Sequence, residues 1–189
     1  KLITEPTAAA MSWCFEHPNE IKSGEKLMVY DFGGGTFDVS LLQCFGPNKF
    51  RIINTGGNPN LGGNDLDTAL SNYILDKAKA HIDGNEIKMT PKKTNKLRQQ
   101  CETAKIMITE SCAYDDDEDE FYKKNAEKFF SIDFSRISHD LEEIDLTPRD
   151  LNKAIESYIN KSVEIAENVM TRANFVVANI KHFLLVGGS

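Results

Sequence analysis

An aspartate, three glycines, a threonine and a second aspartate crowd into YDFGGGTFDVS, from Tyr30 to Ser40. Asp31 closes an apolar run, Gly33, Gly34 and Gly35 follow, and Thr36 and Asp38 come just after them. A turn built of glycines exposes successive backbone N–H groups with no Cβ in the way, and such an array can hold phosphate oxygens. Thr36 offers a hydroxyl to the same oxygens. Asp31, at the end of a buried strand, is suited to hold a magnesium ion through its waters, because magnesium keeps most of its hydration shell. Neither GxxxxGK[ST] nor a GxGxxG after a strand is present. The competing account is an ordinary hairpin whose glycines serve only the turn.

The elements that must position these residues follow from periodicity. EPTAAAMSWCF (Glu5 to Phe15) reads as an alanine-rich helix ended by Pro18. Leu27 to Asp31 reads as a buried strand, and TFDVSLLQCF alternates, with Phe37, Val39 and Leu41 on one face. Lys49 to Thr55 reads as a third strand, and GGNPNLGGND as a loop. Leu66, Leu70, Tyr73, Ile74, Lys77 and His81 then follow the helical period, until DGNE stops the helix. Thr90 and Pro91 supply a cap and a first-turn proline for the next helix, which runs to Ser111. KFFSIDFSRIS reads as β. Thr147, Pro148 and Asp150 open a long helix with Leu151, Ile155, Tyr158, Ile159, Ala166, Val169 and Met170 on its buried side. HFLLV is a closing strand before GGS. The order predicts an α/β layer carrying an inserted smaller subdomain.

On the central helix, Leu97, Cys101, Ala104 and Ile108 form the apolar stripe. Arg98, Glu102, Lys105 and Thr109 are spaced four, three and four apart and are expected to share a polar face. Taken alone, Glu102 and Lys105 read as a surface ion pair, which contributes little.

Composition narrows the function classes. The net charge is −7, of which Asp115–Glu120 carries −6, leaving −1 for everything else. That excludes the basic footprint of a general nucleic-acid binder. The acidic run lacks the spaced D-x-D-x-D-G of a calcium loop and reads as solvated. No apolar stretch approaches the ~20 residues of a membrane span. Cys14, Cys44, Cys101 and Cys112 show neither CxxC nor metal spacing, which points to reduced thiols and a cytosol-like compartment. His17, His81, His139 and His182 are scattered. Lys1 is not a natural start and the chain stops within a glycine motif, so it reads as a piece of a longer protein.

EPTAAA, DFGGGT, LGGND, CETAK and LLVGGS occur in this order across the chain. Together they resemble the seventy-kilodalton heat-shock chaperones, the DnaK-like branch of the actin and sugar-kinase ATPase superfamily. The resemblance implies an actin-like (ribonuclease-H-like) ATPase lobe with an inserted helical subdomain. Residues 1–57 and 147–189 would form the β-sheet base and 58–146 the insertion. It implies ATP/ADP with Mg2+. Glu5, near the attacking water, Asp31, through the ion's waters, and Thr36 would be catalytic. Gly33, Gly34, Gly35 and Thr36 would cradle phosphates, with Asp38 a polar neighbour of the ion. Glu102 and Lys105 would bind the ribose, Thr109 would keep a hydroxyl where serine is usual, and Gly187, Gly188 and Ser189 would pack against the adenosine.

The implied protein is a cytoplasmic chaperone (the endoplasmic reticulum being the other compartment) whose ATP hydrolysis controls capture and release of unfolded polypeptide by another domain. Its partners would be a J-domain co-chaperone and a nucleotide-exchange factor on the helical subdomain, with no nucleic acid and no membrane. This piece alone would be inactive, because the family's lysine belongs to the first lobe. The alternative is a weakly hydrolysing regulatory relative that acts by binding partners; another actin-fold kinase is disfavoured by EPTAAA with LVGGS. Four departures stand out: Ile106 where the family has an adenine-stacking arginine, Thr109 for serine, Asn64 for a carboxylate, and Thr4 for asparagine.

Overall fold

The apolar run before the glycines forms a strand, β1 (Lys26–Phe32), in a computed structural model that describes residues 2–17, 20–46, 49–82, 87–113, 123–124 and 129–188. The acidic run 115–120 and Ser189 lie outside the described residues. β2 (Phe37–Gly46) returns antiparallel with Phe32 opposite Phe37, so a four-residue turn carries the three glycines. β3 (Lys49–Asn58) pairs with β2, and β6 (His182–Val186) runs parallel to β1, giving the order β3-β2-β1-β6.

Two compact units divide the chain: Lys1–Asp65 with Tyr158–Ser189, and Leu66–Ser157. In the first, the sheet is covered on both faces. α1 (Glu5–Glu16) packs Ala9, Ala10 and Trp13 against Leu27, Val29, Leu42 and Leu184. The other face carries Tyr30, whose hydroxyl bonds Ser162 Oγ on α4 (Pro148–Arg172), and Asn54, which donates to the Val169 carbonyl at 2.9 Å. Cover on both faces explains why Ser40, Leu41, Leu42 and Cys44 are all buried along β2, beyond the one-face alternation expected.

The second unit has its own core. α2 (Gly63–Lys79) contributes Leu70, Ile74 and Ala78, and α3 (Pro91–Ala113) contributes Leu97, Cys101, Ala104 and Ile108. A two-stranded ribbon, β4 (Phe130–Asp133) and β5 (Glu143–Leu146), adds Ile132, Ile144 and Leu146.

Several expectations change. β3 runs on through Gly56 and Gly57, where the glycine- and asparagine-rich composition predicts a loop. A Cβ on Gly56 would stand 2.6 Å from Val169 Cγ2, and one on Gly57 2.6 Å from the Phe37 carbonyl, so these glycines serve close packing within a strand. α2 ends at Lys79, before His81, whose ring Nδ1 lies 2.8 Å from the Lys77 carbonyl. KFFSIDFSRIS is a strand only over Phe130–Asp133, where Asp133 caps a turn through Ser135; its partner β5 was not foreseen. On α4 Ile159 is 38% exposed, whereas Ser162, unanticipated, is fully buried.

Candidate functional site

The glycine turn is held from behind. Gly33 N–H donates to the Thr36 carbonyl at 2.9 Å, closing the turn. The first N–H groups of α2 reach back to it: Gly63 donates to the Gly33 carbonyl at 3.0 Å and Asn64 to the Gly34 carbonyl at 2.8 Å. With its carbonyls engaged, the turn presents exposed Gly34, Gly35 and Thr36 on its open side. Among the described residues no backbone acceptor takes the N–H of Gly34 or Gly35.

Neither of these glycines is needed by the turn itself. Neither has a left-handed φ, and a Cβ built on either would meet nothing within 4 Å. Their identity is therefore not explained by the chain's own packing, while an open row of amides without Cβ atoms fits an incoming anion. Gly62 differs, since its missing Cβ makes room for the Gly35 backbone.

Beside the turn, on the α1 face of the sheet, a cavity of about 410 Å³ is lined by Glu5, Asp31, Asp38, Ser40 and Thr55 among others. Glu5 arrives from the first turn of α1, where Pro6 presets the helical φ. Asp31 and Asp38 face each other across the hairpin. Burial, then the carboxylates of Glu5 and Asp38, push the Asp31 carboxyl above its ordinary value. No lysine or arginine lines the cavity among the described residues, so this negative charge is uncompensated and a cation fits it. Among the described residues no three His, Cys, Asp or Glu side chains are grouped to ligate a metal directly. A water-mediated ion at Asp31 is the arrangement that suits this donor set.

Gly187 closes the same region. It holds φ +100°, and a Cβ there would stand 2.2 Å from the Phe32 carbonyl and 3.0 Å from Asp31 Oδ1. Only glycine lets the chain after β6 approach the end of β1 in this way. Gly188 has open space around it, and Ser189 is outside the described residues. Glu5, Asp31, Gly33, Gly34, Gly35, Thr36 and Gly187 thus come together in the first unit, whereas Glu102, Lys105 and Thr109 belong to the second.

On α3, Glu102 is exposed as its spacing predicts, and so are Arg98 and Thr109. Thr109 Oγ1 donates to the Lys105 carbonyl at 2.9 Å. Lys105 departs from the expected polar face. It is buried, with Nζ 2.7 Å from Asp67 Oδ1. Lys105 follows Cys101 by one helical turn and adjoins Ala104, so it lies on the margin of the apolar stripe, where an aliphatic stem packs well and its charge needs a partner. Ile106 is 45% exposed.

Sequence reasoning missed Ser40, Thr55, Gly62 and Asp67. Strand pairing could have found the first two, since Ser40 faces Thr55 across β2 and β3, two residues from the Asp38 position. Asp67 carried a signal as well, being an acid one residue past Leu66 on an amphipathic helix. The chain matches the family model described as Hsp70 protein over residues 1–189, and it therefore belongs to the Hsp70 family.

Proposed function

We propose that this chain is the ATP-binding lobe of a chaperone ATPase, its exposed glycine turn taking the nucleotide's phosphates beside the Glu5–Asp31–Asp38 cavity. Members of the Hsp70 family are ATPases that bind nucleotide, typically with magnesium, and the family implies an actin-like ATPase fold, with which this mixed α/β chain is consistent. The observation that carries the reading is the open Cβ space at Gly34 and Gly35, which the turn's own geometry does not require.

Each residue then has a defined task. The N–H groups of Gly34 and Gly35 and the Thr36 hydroxyl donate to phosphate oxygens, held in place because Gly63 and Asn64 fix the turn's carbonyls. Asp31 would hold magnesium through water, and the bound ion would neutralise charge on the phosphates. Glu5 accepts a hydrogen bond from the attacking water and orients it toward the γ-phosphate. Glu102 accepts from a ribose hydroxyl and Lys105 donates to one. Gly187, Gly188 and Ser189 pack against the adenosine.

In the full-length protein this lobe couples nucleotide state to capture of unfolded polypeptide, by favouring one arrangement over another. A J-domain co-chaperone and a nucleotide-exchange factor acting on the 58–146 region are its partners. Free Cys14, Cys44 and Cys101 support a reducing, cytoplasmic setting. The exposed apolar Ile106 favours a second reading, a regulatory relative that hydrolyses little. Steady-state ATPase of the full-length protein, with and without unfolded peptide and a J-domain partner, separates the two. Stimulated turnover supports the chaperone ATPase; nucleotide binding with flat turnover supports the regulatory relative. Absence of ATP binding overturns both.

A further inference from the structure

Phosphate chemistry at the glycine turn does not require the ion pair between Asp67 on α2 and Lys105 on α3. The two residues are 4% and 8% exposed, and an isolated charge at such depth is costly. Nζ and Oδ1 are 2.7 Å apart, yet the angles do not make a hydrogen bond, so Asp67 Oδ1 has no hydrogen-bond partner among the described residues. The contact is electrostatic. It holds the ammonium beside the carboxylate by charge.

The surroundings leave Lys105 as the only cation for this carboxylate among the described residues. The Ser71 hydroxyl donates to the Asp67 carbonyl at 2.7 Å, which occupies Ser71 with the helix backbone. Cys101, one turn before Lys105 on α3, is fully buried. Burial pushes its thiol up to about 11, Ser71 opposing and Asp67 adding, so it is a neutral neighbour at physiological pH. One tenth of the Lys105 side-chain surface stays open, with exposed Glu102 less than one turn away on the same helix.

We propose that Asp67 is a positioning residue for nucleoside recognition: it fixes the ammonium of Lys105 so that its remaining N–H donors address a ribose hydroxyl. This rests on the reading of Lys105 as a ribose contact. A lysine held in this way loses its rotamer freedom on folding rather than on binding, so the contact is preorganised. A purely structural pair would stabilise the helices without affecting which sugar is bound.

The test is calorimetric binding of ADP and 2′,3′-dideoxy-ADP to the full-length protein and three variants: Lys105→Met, Asp67→Asn and the double substitution. Loss of a charged donor to the ribose lowers the preference for ADP over the dideoxy analogue by about tenfold. Asp67→Asn is expected to lower it about as much as Lys105→Met, and the double variant no further. If Lys105→Met lowers the preference and Asp67→Asn leaves it intact, the positioning role is overturned while the ribose contact stands. If neither changes it, the ribose reading of Lys105 falls, and the proposal with it. Should Asp67→Asn fail to fold, Asp67→Glu keeps the charge and moves it by one methylene. An unchanged preference in that variant overturns the proposal, and a partial loss supports it.

Discussion

A Cβ added to Gly62 would stand 2.6 Å from the backbone nitrogen, Cα and carbonyl carbon of Gly35. The obstruction is main chain, so no side chain can swing aside. Gly62→Ala must displace the glycine turn or the start of α2, and such overpacking costs about 1–3 kcal/mol. Gly34→Ala meets nothing within 4 Å, so its fold should be unchanged. The two variants therefore separate stability from binding. Urea melts should show a loss for Gly62→Ala alone, while ATP binding should weaken in both, by about tenfold or more at Gly34, where a methyl would occupy the phosphate's place. Undiminished ATP binding by Gly34→Ala would show that the open amides face no ligand.

Burial, and then the carboxylates of Glu5 and Asp38, disfavour a charge on Asp31, and its pH dependence follows from that. Its folded pKa is raised above the unfolded value of about 3.9, so the contribution to stability is full below that value and is lost as pH rises through the folded pKa. At neutral pH the ionised group opposes folding. Asp31→Asn should raise the thermal midpoint of the ligand-free protein at pH 7, and the gain should vanish as pH approaches about 3. The same change should weaken magnesium-dependent ATP binding by about tenfold or more, since an amide is a poorer partner for the ion's waters. A variant no more stable than its parent at pH 7 would contradict the raised carboxyl pKa; an unaltered magnesium dependence would remove Asp31 from the ion site.

Asp150 is the opposite case. It caps α4 through Thr147, whose N–H and hydroxyl donate to Oδ2 at 3.0 and 2.9 Å. It also accepts from Tyr73 at 2.8 Å and Lys77 at 2.9 Å on α2. Burial raises its carboxyl, but the bonds from Lys77, Tyr73 and Thr147 outweigh this and hold it below its ordinary value. Asp150→Ala removes the acceptor of four donors, of which Lys77 keeps the Asp145 carbonyl, and should cost about 1.5–3 kcal/mol in urea melts at pH 7. A depressed folded pKa gives stability that is full above about 3.9 and is lost as pH falls through the folded value, so wild type and variant should converge in acid. At the alkaline end burial, with Asp150 adding, pushes Tyr73 up to about 12. Its contribution is full below about 10 and is lost as pH rises toward 12, a loss that Tyr73→Phe should not show. Parallel pH curves for wild type and Asp150→Ala would contradict this account.

These cases show what was legible in advance. β1, β2, β6, α1 and α3 follow from apolar patterning, from the alanine-rich run ended by Pro18 and from Pro91, because local pattern decides those elements. The glycine turn was readable as local pattern too, whereas Glu5 was singled out only by the resemblance that EPTAAA carries. What escaped depends on partners distant in sequence. Gly56 and Gly57 read as loop residues because their packing against Val169 and Phe37 is invisible to a local window. Lys105 read as a surface cation because its partner, Asp67, lies on another helix. β5 is a four-residue strand with two acids, Glu143 and Asp145, and only its pairing with β4 makes it a strand.

Ile106 follows Lys105 directly and is 45% exposed, so unlike its neighbour it is free to meet a ligand. The resemblance puts an arginine here, laying a flat guanidinium over the adenine. Isoleucine can touch a base with its methyl groups but offers neither charge nor plane. A cation–π and stacking contact contributes about 0.5–2 kcal/mol, depending on desolvation. Ile106→Arg in the full-length protein should therefore tighten ADP binding by up to roughly tenfold per 1.4 kcal/mol gained. The magnesium requirement should be unchanged, because the proposed ion site at Asp31 belongs to the first unit. Since the substituted position is exposed, the fold should tolerate the longer side chain within about 0.5 kcal/mol. Calorimetry with ADP and with ribose 5-diphosphate, which lacks the base, distinguishes base stacking from added positive charge. Equal tightening for both would fit charge attraction to the phosphates and not recognition of adenine, and no tightening would mean that Ile106 does not face the base.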